Sequence, residues 1–219
     1  MSRKKIVLAV AAVVAVIVVA FGAVWAFPVF TIKDYDVTGN VHTTTEDIIE
    51  VAGVAQGHNL ARVDASSAAA NVVTLPWVKS ATVNRQWPST LGVDVVERQA
   101  VLYSVEGDGD HLIDDAGTPF VIDTPPDDAV EVTGSQRQEP AVLTSVAQVV
   151  AQLPAPVRLA VARIDVPAQH DLTFYLHDGR TVYWGSTESA HDKALAMEDI
   201  LGREGQSWNV SNPSLVTVR

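Results

Sequence analysis

The side chains able to do chemistry in this sequence are carboxylates and histidines, and their spacing decides which reactions are open to them. Asp108, Asp110, Asp114 and Asp115 crowd into one short stretch, and the first two sit where a calcium loop carries its first acids. His111 and Leu112 then occupy positions where such a loop needs another oxygen ligand and a sharply turning glycine, so a solvated turn accounts for the cluster better. The six histidines, at 42, 58, 111, 170, 177 and 191, form no H-E-x-x-H pair, and His170 and His177 would lie on opposite faces of one strand. No G-x-S-x-G, no glycine-rich phosphate cradle and no well-placed Ser-x-x-Lys occurs. Cysteine is absent, which removes thiol catalysis, cysteine zinc sites and disulfides together. The sequence therefore predicts no catalytic, metal or cofactor-binding residue and no enzyme.

Residues suited to docking are better represented. Trp77 and Trp87 each adjoin a proline at the two ends of one expected strand, where their rings either cap a core, the plainer reading, or stand exposed for a partner. Trp208 and the terminal Leu215–Arg219 segment are more informative. A terminal apolar strand has few neighbours to cover its edge, and an open row of backbone donors and acceptors lets a partner add a strand; alternatively the segment pairs internally and ends the sheet.

What must position these groups begins at residues 6–27, an apolar run without a charge. As a helix it would reach roughly 33 Å, enough for a hydrocarbon core of about 30 Å, and lipid forces a lone spanning segment to pair its backbone internally. Arg3, Lys4 and Lys5 precede the run, whereas Lys33 is the first charge after it and is soon followed by Asp34 and Asp36, so the N-terminus is expected in the cytoplasm. A cleaved signal fits worse, because its apolar core is shorter and the stretch around Trp25 and Phe27 is bulky. Both rings suit the outer membrane interface. Of 15 basic residues, 12 remain beyond the run against 26 acidic ones, a balance of −14. Such a surface repels phosphate, which argues against nucleic acid and predicts a domain that stays off the membrane face.

Past the run, Phe30–Thr38 reads as a strand ending at Gly39-Asn40. Thr44 caps a short helix closed by Gly53, and Asp64 caps a second, stopped at Pro76. Leu60 plugs the loop between them. Val78–Arg85 and Leu91–Arg98 alternate as strands around a Gln86–Ser89 hairpin loop. The order strand, helix, helix, strand, strand predicts a small sheet with two helices on one face. From Val101 short strands alternate with polar turns. Helices are expected over Pro140–Leu153 and about Thr187–Leu201, with Val157–Val166 extended and Asp178-Gly179 turning a hairpin.

Within residues 60–120, LARVD, then LPWVKSATVNRQWPSTLGVDVVERQAV, then LIDDAGTPF resemble the bacterial cell-division family FtsQ/DivIB. The matching positions include Leu75-Pro76-Trp77-Val78, Arg85, Trp87-Pro88, the Val96-Glu97-Arg98 triplet and Leu112-Ile113-Asp114 with Gly117. The resemblance implies an α+β protein: a cytoplasmic tail (1–5), one N-terminal transmembrane helix (6–27), a POTRA-like β-α-α-β-β domain (28–99) and a mixed β-rich domain with two helices (100–219). It implies a non-enzymatic divisome scaffold, a single-pass type II protein of the cytoplasmic membrane at the division septum. FtsB/DivIC-like and FtsL-like proteins would be its partners, other divisome membrane proteins would adjoin it, and no cofactor would be needed. Carried onto this chain, the partner-binding residues would be Trp208, Asn209, Val210 and Ser211, with Leu215, Val216, Thr217, Val218 and Arg219. The alternative is a POTRA-bearing extracytoplasmic chaperone for polypeptide insertion or transport, against which the single module and the lack of a following barrel-like strand series argue.

Overall fold

The structure is a computed structural model that describes residues 10–19, 22 and 30–219. Residues 10–19 and 22 are helical and exposed, while the remainder of the expected 6–27 span and the 1–5 tail lie outside the described residues. Among the described residues no helix is long and apolar enough to cross a membrane. The chain divides into two compact units, residues 1–97 and 98–219.

In the first unit β1 (Asp34–Thr38) leads to α1 (Thr45–Ala52), a 3-10 turn (Leu60–Arg62), α2 (Ala65–Val72), β2 (Val78–Gln86) and β3 (Thr90–Glu97). Capping chemistry sets both helices. The Thr44 hydroxyl accepts from the Asp47 amide, Gly53 takes the left-handed conformation behind α1, and the Asp64 carboxylate accepts from the Ser66 and Ser67 amides. β3 is the central strand, antiparallel to β2 and parallel to β1, because the two helices carry the chain across between them. One face of the sheet buries Val83, Leu91, Val93 and Val95 with Ile48 and Val72 of the helices. The expected first strand begins later than Phe30. The segment before Asp34 pairs instead with the loop ahead of α2: Leu60 donates to the Phe30 carbonyl at 2.8 Å and Ile32 to that of His58 at 3.0 Å. Leu60 is fully buried, and the Arg85 guanidinium donates to the Leu60 and Val63 carbonyls at 3.1 and 2.6 Å, holding that loop down.

The second unit contains β4 (Ala100–Glu106), β5 (Gly109–Asp114), β6 (Pro119–Ile122), β7 (Val130–Thr133), α3 (Pro140–Gln152), α4 (Ala155–Ala160), β8 (Val161–Ala168), β9 (Asp171–Leu176), β10 (Thr181–Gly185), α5 (Ala190–Leu201), β11 (Ser207–Asn209) and β12 (Thr217–Val218). Its strands form one sheet in the order β12-β11-β10-β9-β8-β7-β4-β5-β6. The core gathers Val146 and Val150 of α3, Val157 of α4 and Met197 of α5 with Phe174 and Trp184, whose rings stack 4.8 Å apart. Two helices were expected here and three are present. The start of the predicted extended stretch at Val157 is instead the six-residue α4, which Pro154 and Pro156 admit because proline fits a first helical turn and six residues show almost no periodicity. β7, only four residues long, has no counterpart in the sequence reading. α5 starts at Ala190, since Ser189 before it is left-handed at φ 52°.

Candidate interaction edge

The C-terminal segment closes one margin of the large sheet. β11 runs parallel to β10, with Val182 opposite Trp208, and β12 returns antiparallel to β11, with Val218 opposite Trp208 and Thr217 opposite Asn209. Ser207 and Arg219 exchange two backbone bonds, 3.1 and 2.8 Å. Antiparallel ladders alternate, so after this bonded pair the next residue, Val218, turns its N–H and C=O away from β11 and toward the free edge. Among the described residues β12 is the outermost strand, so this edge is open. It offers main-chain donors and acceptors.

The residues singled out by the resemblance divide into two groups. Trp208 and Val210 are buried at 6% and 0% exposure, and Val216 packs partly against the same core. Asn209, Ser211, Leu215, Thr217, Val218 and Arg219 are exposed, Leu215 to 68% and Val218 to 48%. The period-two position of Trp208 points its ring into the core, where it supports the edge from beneath. The link between the strands is fixed locally. The Asn209 carboxamide oxygen accepts from the Ser211 amide and hydroxyl, the Val210 amide donates to the Tyr183 carbonyl at 2.9 Å, and the Leu215 amide to that of Asn212 at 3.0 Å.

Two positioning residues carried no signal legible beforehand. The Arg180 guanidinium donates to the Ile200, Leu201 and Arg203 carbonyls, satisfying the open C-terminal end of α5 just before the chain turns into β11. Its hydrogen bonds to Asp178, with its charge, hold that carboxyl below its ordinary range. Gly205, at φ 147°, lies where an added Cβ would come 2.4 Å from a Val218 methyl and 3.0 Å from the Trp208 ring, so the last strand can lie flat only over a glycine.

The other candidates resolve differently. Asp114 of the acidic stretch is 1% exposed and pairs with Arg98 at 2.5 Å, while its second oxygen accepts from the Ala116 and Thr118 amides; Asp108 pairs with His111 at 2.8 Å. Among the described residues no group of acids and histidines could hold a metal ion. Trp77 stacks on His42 with ring centres 3.8 Å apart, and the Glu97 carboxylate receives the Val41, His42 and Thr43 amides at 2.9–3.1 Å. Burial would raise Glu97, but those amides and the His42 ring outweigh it and hold its pKa down at about 2. Trp87 is 55% exposed, so it does not cap the core as the plainer reading expected; it sits edge-on to Phe30 at 5.0 Å.

Comparison with known proteins places both units. Residues 30–98 match the POTRA domain, FtsQ-type, and residues 103–211 match the Cell division protein FtsQ/DivIB, C-terminal family; β12 lies beyond that second match. The chain is 43% identical to the cell division protein FtsQ of Corynebacterium glutamicum, covering 99% of this chain and 100% of that one. With FtsQ of Mycobacteroides abscessus the identity is 35%, over 94% of this chain and 67% of the relative. The extracytoplasmic domain of DivIB from Geobacillus stearothermophilus aligns with a TM-score of 0.39 at 20% identity, over 49% of this chain and 97% of that structure, too low to bear on the fold. With its mixed α and β POTRA module followed by a β-rich part, the chain belongs to the FtsQ/DivIB family of bacterial cell-division proteins.

Proposed function

We propose that the chain is a non-enzymatic scaffold of the division machinery, held in the cytoplasmic membrane by residues 6–27 with its N-terminus inside, which takes a strand from an FtsB/DivIC-like or FtsL-like partner along β12. On this reading residues 28–99 form the membrane-proximal POTRA domain, 100–219 the binding domain, and the protein works at the septum. The observation that carries the proposal is the open margin of the nine-stranded sheet, where Val218 aims outward an N–H and C=O unpaired among the described residues and Leu215 lies exposed beside it. Strand addition draws its affinity from main-chain bonds and its specificity from flanking side chains, and a two-residue strand needs such a flank. Leu215, Thr217 and Val218 supply it, on a base made by Trp208 and Val210. The family assignment favours a division role over the chaperone reading. Deleting Leu215–Arg219 should abolish pulldown of the partner while the protein stays folded and at the membrane. Undiminished pulldown would rule out this edge.

A further inference from the structure

The tip of the β2–β3 hairpin, Gln86–Ser89, carries a tryptophan that the fold does not consume. Trp87 is 55% exposed although indole is among the costliest side chains to leave half in water, and Phe30 meets it edge-on at 5.0 Å. Phe30 is no ordinary neighbour. Only two residues separate it from Phe27, the last residue of the apolar run, so Phe30 lies within about 10 Å of that run's end even for a fully extended chain. Backbone bonds tie the hairpin to the same exit segment: the Lys33 amide donates to the Ser89 carbonyl at 2.8 Å, and Leu60 clamps Phe30. The external part carries −14, and although residues 85–93 contain no acid, carboxylates stand beside the tip: Asp34 lies opposite Thr90, next to Lys33, and Asp36 accepts from the Gln86 carboxamide at 3.0 Å.

We propose that Trp87, with Pro88 and Phe30, rests in the outer headgroup interface of the bilayer, so that the first folded unit is docked on the membrane by its hairpin tip as well as tethered by the chain. Amphipathic rings favour that layer. A bilayer is the occupant because the sequence distance to residue 27 leaves little room for anything else. The expectation that this part stays off the membrane then holds for its net charge and fails at this patch. The inference rests on residues 6–27 spanning the membrane.

The chain has no cysteine, so one can be introduced at will. Ser89→Cys, Val16→Cys and Glu198→Cys are spin-labelled singly in the full chain, which is reconstituted into vesicles of phosphatidylcholine and phosphatidylglycerol. Access of a water-soluble nickel relaxant is then read by electron paramagnetic resonance. The expected result is loss of access at 89 relative to 198, with access regained at 89 when Trp87→Ala is added. Access at 89 equal to that at 198, with position 16 shielded, overturns the proposal while the anchor stands, even if position 89 proves covered by protein in cells. Shielding that survives Trp87→Ala also overturns it, and access at 16 would overturn the anchor and the inference with it. The comparison of 89 with 198 uses the native Trp87, so it does not depend on how the alanine variant folds.

Discussion

Replacing Glu97 with glutamine should measurably loosen the first unit, because this one carboxylate organises the turn between β1 and α1. It receives three consecutive backbone amides and the His42 ring, on which Trp77 stacks. Its pKa stands at about 2 against an ordinary 4.5, and at about 1.4 kcal/mol per pH unit that gap is worth about 3 kcal/mol at neutral pH. The sign follows from the depressed value. The contribution is complete above pH 4.5 and disappears as pH falls toward about 2, where the carboxyl protonates in the folded state too. Glutamine keeps one acceptor oxygen and loses the charge, so Glu97→Gln should cost about 1–3 kcal/mol at pH 7, a fall of about 4–8 °C in melting midpoint per kcal/mol for a unit of this size. Hydrogen exchange at the Val41–Thr43 amides, with thermal unfolding at pH 7 and pH 3, checks it. Protection at 41–43 should drop in the variant, and the gap between variant and native protein should narrow with acid. Native exchange rates and a native midpoint in the variant would refute the reasoning.

Other consequences can be checked the same way. Arg98→Met should lower the melting midpoint of the second unit by an amount equivalent to about 3–5 kcal/mol, because Asp114, 1% exposed, would be left as a buried charge without its cation. Gly117→Ala should cost about 1–3 kcal/mol or more in the same assay, since φ is 80° and the new Cβ would fall 2.3 Å from the Thr144 amide nitrogen in the second turn of α3. Gly205→Val should leave the core folded and weaken partner binding, as its side chain would displace Val218 and with it the last strand. A titration of the purified external part against the partner separates that loss from general unfolding seen by circular dichroism.

The first unit was readable in the sequence because each of its elements carries its own local signal. Thr44, Gly53 and Asp64 announce helix ends through hydrogen bonds made within three residues, and Val93 and Val95 mark a buried face by simple alternation. What was not readable depends on distant partners. Nothing near Phe30 says that its backbone will pair with Leu60 rather than with the sheet, and four residues of β7 or six of α4 are too few to show a period. The two tryptophans beside prolines look alike in sequence, yet one stacks on His42 and the other faces solvent, a difference set by which loop folds over each. At the C-terminus the extended pieces were expected, whereas the inward turn of Trp208 needed the register of β11 on β10. Likewise Arg180 and Gly205 act on the edge from 38 and 13 residues before Val218, beyond the reach of pattern reading.

The central claim, that a partner pairs with the outward backbone of β12, is tested most directly by Val218→Pro in a binding titration with the FtsB-like partner. Proline removes an N–H that has no partner among the described residues, so the account predicts an unchanged melting midpoint and a loss of about 1–2 kcal/mol in binding, roughly 5–30-fold in Kd. Native affinity in Val218→Pro, at the same midpoint, would contradict it.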